Sequence, residues 1–400
     1  MGRALRTATW AACALVAACG GGAGPAATDA APEADAGPDV DAPPRPPPGQ
    51  QVFSTAVLHT IAITVDPMYL DALENDVDAR VPCTFTFDGV TLTDVGIRKK
   101  GGQGSVSSLF DKTGFSVKLN EFVGGQRLDG LEKVVLDNCQ EDPTFVSSHV
   151  GYDAHRAMGG AAPFTSHATV SFNGGDYGLF VVEEPTGDDF LDRVFGHGDT
   201  GGNLYEGTYH QENHALGDFV THPEALELKD EDQGRTRDDM VAFATAVRTA
   251  DDAGLEAALR AHLDLDHYLT ALAVDTVVGY WDSYAYFLNN YYFYDDPAAG
   301  TFRYIPHGMD QLRYRDPGAP LGLMVRRIRQ VPALSARLDD ELARVRASWD
   351  VAAMTARVDQ VEAILAAAPT GGRTEADVAS FRAHVDEVRA DLAAIPTGGR

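Results

Sequence analysis

The order of turns, strands and helices along the chain is the feature that most constrains its fold. The glycine-rich stretch Gly101–Ser105 precedes "GFSVKLN", where apolar and polar side chains alternate and Lys118 is on the polar face. A helix is predicted to begin at Asp142, because an acid followed by proline is a typical helix start. Two hairpins are also predicted in this half, one that turns at Asp88–Gly89 and one that turns through Asn173–Asp176 and ends near Glu184. This part of the chain is predicted to form an antiparallel sheet with a helix.

The residues after Glu184 show a mostly helical pattern, with helices predicted at Asp188–Phe195, about Asp238–Thr249 and Leu265–Val278. Asp282 follows the third of the predicted helices there, and Asn289 and Asn290 come a few residues later. A second hairpin, formed by "YYFY" and "TFRYI", then leads to Asp310. The whole chain is therefore predicted to have an α+β fold in which a sheet-rich part precedes a helical part.

These polar residues are of the types that phosphoryl transfer requires. That chemistry needs a cation on the transferred phosphate, oxygen ligands for Mg²⁺ and an acid beside the attacking hydroxyl. Lys118 matches the cation, Asn289 or Asn290 together with Asp310 matches the oxygen ligands, and Asp282 matches the acid. Their order along the chain resembles that in protein kinases. Taken singly, the two acids also fit turn caps and Lys118 fits a solvated strand lysine. Only the order favours the functional interpretation.

Several kinase signatures are absent from the sequence. There is no His-Arg-Asp triplet and no Asp-Phe-Gly triplet, and the helix predicted from Asp142 has no obvious glutamate to pair with Lys118. Either Asp153 or Glu184 replaces that glutamate, or the pair does not exist.

Six segments together resemble the CotH family of kinase-like proteins. They extend over about 95–312 and read "GIRKKGGQGS", "KTGFSVKLN", "GLFVVEEPTGDDFLDRVFG", "GGNLYEG", "WDSYAYFLNNYYFY" and "YIPHGMDQL". The resemblance implies an atypical, two-lobed protein-kinase-like fold, with an antiparallel-sheet small lobe at about 51–185 and a mostly helical large lobe at about 186–400. It also implies ATP and Mg²⁺ or Mn²⁺ as cofactors.

The resemblance assigns a role to each motif residue. Asp282 is similar to the catalytic acid, whereas Asp310 and either Asn289 or Asn290 resemble metal ligands. The residues expected at the nucleotide are Lys118, Arg98, Gly102, Gly104 and Glu184. The last of these, Glu184, is expected at the junction of the lobes, where it borders the adenine.

Two positions depart from the family pattern. Many members have Pro-Trp-Asp-x-Asp where this chain has "PHGMD", so that Gly308 replaces an acid. Many also have lysine after "LY", where this chain has Glu206. Each change removes a group that could bind a metal or a phosphate.

The first fifty residues have the composition of an export signal and a tether. An apolar run after Arg3 and Arg6 ends in small residues before Cys19, which predicts a lipoprotein signal peptide over 1–18 and a lipid on Cys19. Residues 19–50 are rich in Pro, Ala, Gly and Asp and are predicted to be disordered. An ordinary signal peptide with an incidental cysteine is the alternative. The expected location is the cell envelope, at the outer membrane, because Gly20 follows the cysteine.

The folded part contains two further cysteines, Cys83 and Cys139. In an exported protein such a pair favours a disulfide, and two separate buried thiols are the alternative.

The formal net charge of −27 argues against nucleic acid or anionic lipid as a partner. It leaves room for a small polyanion such as ATP in a local basic pocket. The resemblance to the CotH family implies a kinase that phosphorylates serine or threonine of an envelope or coat protein. The alternative is a non-catalytic surface lipoprotein, with a binding or structural role, on a degenerate kinase-like fold.

Overall fold

The computed structural model describes residues 47–101, 106–196, 201–229, 235–366 and 375–397. All of them belong to one compact unit, Pro46–Arg400. The signal peptide, Cys19, most of the tether, Gly102 and Gly104 lie outside the described residues.

Seven strands of the first half form a closed barrel, in the order β1-β2-β3-β4-β5-β7-β6. Parallel pairing of β1 with β6 closes it, while the other neighbours are antiparallel. This corrects the expected antiparallel sheet. Closure leaves the sheet without an open edge, which local sequence patterns cannot show. The strands are β1 Leu58–Val65, β2 Val81–Phe87, β3 Val90–Lys100, β4 Gly114–Lys118, β5 Lys133–Asp137, β6 Thr165–Phe172 and β7 Gly175–Glu183.

Two tight turns of the barrel have the conformation that their sequences predict. Asp88 and Gly89 both have positive φ, 46° and 85°, and Asn173 and Gly174 have 49° and 79°. Two consecutive left-handed residues match the twist of a two-residue hairpin, so both predicted hairpins are confirmed.

The alternation in "GFSVKLN" divides the inside of the barrel from its outer face. Phe115, Val117 and Leu119 are fully buried in the barrel core. Ser116 and Lys118 are on the opposite face, where Ser116 pairs with Arg98 of β3. The outer face of β3, β4 and β5 therefore carries polar side chains.

The folded region begins earlier than the predicted end of the tether at residue 50. The backbone amide of Gly49 donates to the carbonyl of Asp129 at 2.8 Å, and the amides of Gln51 and Val52 donate to the Asp129 carboxylate at 2.5 and 3.1 Å. The Asp129 carboxylate thus fixes the start of the folded region, which includes the short proline-containing stretch 47–50.

The second half combines a small sheet with helices around a second, larger hydrophobic cluster. The sheet has the order β11-β10-β8-β9, with strands β8 Leu204–Gly207, β9 Glu227–Leu228, β10 Tyr291–Asp296 and β11 Thr301–Pro306. No helix within the described ranges is long and apolar enough to cross a membrane. The helices are α1 Leu70–Asn75, α2 Ser147–Ala157, α3 Asp188–Phe195, α4 Asp238–Thr249, α5 Leu255–His262, α6 Leu265–Val277, α7 Tyr284–Phe287, α8 Leu323–Gln330, α9 Pro332–Ala347, α10 Val351–Ala366 and α11 Glu375–Ala394.

Helix α2 begins five residues later than predicted. Asp142 is in the preceding loop, where its carboxylate accepts the backbone amides of Thr144 at 2.9 Å and Ser147 at 2.8 Å. The acid therefore orders the approach to the helix instead of occupying its first turn, because the hydrogen bonds that it makes locally compete with helix formation.

The two cysteines are free thiols, which corrects the disulfide prediction. Cys83 is in β2 with its side chain in the barrel core, whereas Cys139 follows β5. Two strands lie between β2 and β5. With about 4.8 Å between neighbouring strands, the separation of β2 and β5 exceeds the roughly 7 Å limit for the Cα atoms of two bridged cysteines. Burial raises the pKa of both thiols, that of Cys83 to about 12.

Two stacked histidines join three elements of the fold. His149 of α2 and His167 of β6 have ring centroids 4.1 Å apart, and Arg357 of α10 donates to His149 Nδ1 at 3.1 Å. Burial lowers the pKa of His149 well below its usual value and that of His167 from 6.5 to about 4. Both rings are therefore neutral in the folded protein at neutral pH.

We expect the stability of the fold to decrease on acidification because of these rings. Their pKa is lower in the folded state than in the unfolded chain, so the unfolded chain binds more protons below about pH 6.5. The stabilisation is complete above that pH and is lost as the pH falls towards 4. For His167→Gln, urea denaturation between pH 7.5 and 5 should show a smaller slope of the free energy of unfolding against pH. The expected reduction is up to about 1.4 kcal/mol per pH unit, which corresponds to one proton. The control His384→Gln, at a half-buried site of α11, should keep the wild-type slope; equal slopes in all three proteins would contradict the expectation.

Candidate active site

A cavity of about 640 Å³ lies between the outer face of the barrel, the segment after β7 and the four-stranded sheet. The polar face of β3, β4 and β5 forms one wall and β8, β9 and β10 form the other. The lining includes most cations discussed below, namely Arg80, Arg98, Lys100, Lys118, Lys133 and Lys229.

Lys118 and Glu184 both line this cavity, but they do not pair with each other. The Lys118 ammonium is half exposed and lies 2.9 Å from Glu121. The Glu184 carboxylate accepts two hydrogen bonds from Arg193, at 2.8 and 2.6 Å, and is buried. Asp153 pairs elsewhere, so the third possibility raised by the sequence, no pair of this kind with Lys118, matches the structure.

Lys100 is the lysine that sequence reasoning missed. It is two residues after Arg98 on the same face of β3, and its ammonium lies 3.1 Å from Asp137 of β5. Burial opposes the charged form, but Asp137, Glu183 and Asp310 outweigh it and hold the pKa of Lys100 above its usual value. The two-residue spacing from Arg98 was the signal that could have identified it.

The turn that carries Asp310 is held by packing on both sides. Met309 is fully buried against Gly151 of α2, where a Cβ would lie 2.8 Å from the Met309 terminal methyl carbon. Gly308 has a φ of 58°, and the Tyr280 hydroxyl donates to its carbonyl at 3.0 Å. Burial of Met309 therefore determines where the next residue, Asp310, projects.

The Asp310 carboxyl is half-buried in an acidic environment. Among the described residues it accepts no hydrogen bond and forms no ion pair. Burial and the nearby Asp137 raise its pKa well above the usual range, with smaller contributions from Glu141 and Asp142, although Lys100 acts in the opposite direction. An additional positive charge at this point would be stabilising.

Asp282 and the two asparagines form one hydrogen-bonded group. The amide of Asn289 donates to both carboxylate oxygens of Asp282, at 3.1 and 3.3 Å, and that of Asn290 donates at 2.7 Å. Burial raises the pKa of Asp282 to about 6, which the bond from Asn289 partly offsets. The Asn290 side chain also packs on Gly308, where a Cβ would lie 2.8 Å from its amide carbon. Asp282 is thereby linked to the turn of Asp310.

The structure therefore brings together most of the predicted catalytic and metal-binding residues. Asn290 connects the two acids, because its amide donates to Asp282 and its side chain packs on Gly308 in the turn of Asp310. Glu141 raises the pKa of both acids. The charge of Lys100 acts on Asp310, whereas Lys118 and Glu184 are at other parts of the cavity wall.

Two further cations in the cavity have donors available for an anion. Lys133 of β5 has no acidic partner within the described chain, and burial together with Arg80 and Arg98 lowers its pKa to about 8. Arg98 has a buried Nε without a hydrogen-bond acceptor, although its Nη1 lies 3.4 Å from the exposed Asp78. Unpaired buried donors of this kind favour an anionic ligand.

Glu206 occupies the position where many CotH proteins have lysine. It forms ion pairs with Lys229 and, at 3.6 Å, with His307. Burial opposes its charged form, but Lys229 outweighs this and lowers the pKa of Glu206. Because Lys229 follows the neighbouring strand β9, an ammonium is still present at this position of the cavity.

The donor set around Asp310 is suited to a hard divalent cation. No cluster of three or more His, Cys, Asp or Glu side chains able to hold a metal occurs in the described residues. The available donors are instead the unpaired carboxyl of Asp310 and the amide oxygen of Asn290, whose nitrogen is used by Asp282. Carboxylate and amide oxygens with water are typical Mg²⁺ ligands.

One of three comparisons with known proteins shows the family of this chain. A search of curated proteins finds no match. Among solved structures, the Helicobacter pylori proinflammatory kinase CtkA matches with a TM-score of 0.35 and 10% identity, over 75% of this chain and 95% of that chain. The family model described as CotH kinase protein matches residues 97–377, more than half of the sequence. The chain therefore belongs to the CotH kinase family.

Proposed function

We propose that the protein transfers phosphate from ATP to serine or threonine of an envelope or coat protein. One observation carries this proposal. Asn290 links Asp282 to the turn of Asp310, through a hydrogen bond at 2.7 Å to Asp282 and packing on Gly308. Asp310 in turn raises the pKa of Lys100, which lines a cavity that is large enough for a nucleotide.

We further propose that the fold is two-lobed, with the barrel as the small lobe and the helical half as the large lobe. Separate hydrophobic clusters inside the barrel and among the helices support this division. The cavity between the barrel wall and the four-stranded sheet would then be the cleft between the lobes.

In this proposal, ATP lies in the cavity with its phosphates towards Lys100 and Asp310. Lys100 and Arg98 bind phosphate oxygens, and Lys133 adds an unpaired ammonium on the same wall. Gly102 and Gly104 remain predicted phosphate contacts, since glycines let backbone amides approach an anion closely. Lys118 reaches the nucleotide only after leaving Glu121.

Asp310 and Asn290 are the residues that would hold Mg²⁺ or Mn²⁺. When bound, the cation neutralises charge on the phosphate oxygens. Asn290 is favoured over Asn289 because its side chain touches Gly308 in the turn of Asp310, whereas Asn289 is buried with its amide on Asp282.

Asp282 is placed to accept the proton of the acceptor hydroxyl. A pKa of about 6 leaves it mostly ionised at neutral pH yet basic enough to take a proton. The two asparagine amides orient its carboxylate, so that little reorientation is needed when the hydroxyl arrives.

Replacement of Asp310 by asparagine is expected to abolish Mg²⁺-dependent ATP binding while the protein stays folded. The change removes a charged ligand and keeps the side-chain volume. Isothermal titration calorimetry with Mg·ATP, together with a thermal melt, measures both effects. Asp340→Asn, at an exposed position of α9, is the matched control and should bind like the wild type. Undiminished affinity in Asp310→Asn would exclude the metal role, and absence of nucleotide binding by the wild type would favour the non-catalytic alternative.

Asp282→Asn should instead keep Mg·ATP affinity and reduce the transfer rate by about 10²- to 10⁴-fold, because only the proton acceptor is lost. In the wild type, kcat should rise as the pH increases through about 6, where Asp282 loses its proton. Radiolabelled phosphate transfer measured from pH 5 to 8 tests both statements. A variant that keeps the wild-type rate and pH profile would rule out the general base.

We also propose that the mature protein begins at Cys19 and is lipid-anchored to the cell envelope. The small residues before Cys19 and the proline-rich stretch after it support this proposal. Mass spectrometry of the membrane fraction should find a diacylglyceryl-modified Cys19, and Cys19→Ser should release the protein or leave it unprocessed. An unmodified Cys19 in a chain cleaved elsewhere would refute the anchor.

A further inference from the structure

The segment that follows Asp310 is basic in an otherwise acidic protein. Residues 312–330 contain five arginines and one acid, Asp316, whereas the whole chain has a formal charge of −27. The arginines are Arg313, Arg315, Arg326, Arg327 and Arg329. Arg327 has a structural role, since it donates to backbone carbonyls at the end of α4. Arg329 pairs with the exposed Asp339, whereas Arg313, Arg315 and Arg326 have no acidic partner among the described residues.

Arg313 is beside the proposed catalytic acid. Its guanidinium carbon lies 4.3 Å from the ring centroid of Trp281, the residue before Asp282. Its positive charge acts on Asp282 and lowers that pKa. Arg313 is exposed and has no acidic partner in the part of the chain that the structure describes. The charge is thus presented to solvent at the site where an acceptor hydroxyl would arrive.

The backbone around Arg313 is held against the turn that precedes Asp282. Leu312 forms a bridge with Tyr280, and the amide of Tyr314 donates to the carbonyl of Val278 at 2.9 Å. Gly279 has a φ of 67°, and a Cβ there would lie 2.4 Å from the Arg315 carbonyl oxygen. This close contact positions the arginines relative to the active site.

A second group of arginines lines a cavity of about 430 Å³ further along the same segment. Arg315, Arg329 and Arg346 contribute to its wall, and Asp316 is the one acid among its lining residues. Within the described ranges, Arg315 and Arg346 have no acidic partner, while Arg329 pairs at 2.5 Å with the exposed Asp339. The Asp316 carboxylate accepts the amide of Gly318 at 2.9 Å. The cavity therefore has guanidinium groups available for an anion.

We infer that Arg313, Arg315, Arg329 and Arg346, here named the arginine track, dock an acidic segment of the protein acceptor. This inference rests on the proposed kinase function. Guanidinium groups bind carboxylates through paired hydrogen bonds, and one stacked on an aromatic ring loses little freedom on binding. An extended peptide advances about 3.3 Å per residue, so acids within a few residues of the acceptor serine reach the track.

The acidic surface elsewhere is compatible with an acidic substrate. Salt screens exposed charges beyond about 8 Å at physiological ionic strength, so the local arginines dominate at the site. Remote acidic patches then disfavour binding of the same segment at other places, which contributes to specificity.

A binding experiment without nucleotide tests the arginine track directly. The full chain is titrated into a fluorescent peptide with one serine flanked by glutamates, and into the same peptide with glutamines instead. Fluorescence anisotropy should show at least about tenfold tighter binding of the glutamate peptide, weakening as salt is raised. The double variant Arg313→Gln, Arg315→Gln should lose this preference. Arg382→Gln, which removes an exposed arginine of α11 without an acidic partner among described residues, is the control and should keep it.

A transfer assay separates this inference from the kinase proposal. With Mg·ATP, the double variant should raise KM for the glutamate peptide about tenfold, keep KM for the glutamine peptide and keep Mg·ATP affinity. Equal use of both peptides by the wild type, or equal effects of the variant on both, would overturn the arginine track while phosphate transfer stands. If the wild type binds no nucleotide but still prefers the glutamate peptide in an arginine-dependent way, the track stands and the kinase proposal fails.

Discussion

The position of Asp310 depends on the burial of its neighbour Met309 against Gly151. Because a glycine of α2 leaves room for the methionine side chain, the turn after β11 packs tightly onto the helix. Asn290 and Tyr280 contact the same turn from the helical half, through packing on Gly308 and a hydrogen bond to its carbonyl. Three separate parts of the chain therefore determine where one carboxyl group projects. A larger residue at position 151 would press against the Met309 side chain.

Burial, together with neighbouring charges, explains the raised pKa values of the two acids. For Asp310, Asp137, Glu141 and Asp142 raise the pKa further, while Lys100 acts in the opposite direction. The charged forms of Asp282 and Asp310 are therefore disfavoured in the free protein. A cation bound at Asp310, as proposed above, would favour the charged form of that acid.

In the proposed reaction, one set of cations binds ATP and another set binds the protein acceptor. Arg98, Lys100 and Lys133 line the cavity that we assign to ATP, whereas three arginines of the track line a separate cavity and Arg313 lies over Trp281. Phosphate donor and acceptor would then be bound by different sets of cations. This separation lets acceptor specificity change without loss of nucleotide binding.

The sequence by itself predicted the features that depend on near neighbours in the chain. The barrel hairpins at Asp88–Gly89 and Asn173–Gly174, the helix Asp188–Phe195 and the hairpin leading to Asp310 follow from turn residues and periodicity, and the structure contains them as predicted. Membership of the CotH family also followed from ordered short motifs. Such signals act over a few residues, where backbone geometry and side-chain alternation are decisive.

Only the tertiary structure decided which groups meet across long separations. It closed the barrel through β1 and β6, kept Cys83 and Cys139 apart, and placed Lys100 beside Asp137 while Lys118 paired with Glu121. The sequence could identify the asparagines beside Asp282 as candidates, but their contact with Gly308 depends on how a hairpin packs against a loop. Burial, pairing and pKa depend on neighbours brought together by folding, and one sequence alone does not contain those distances.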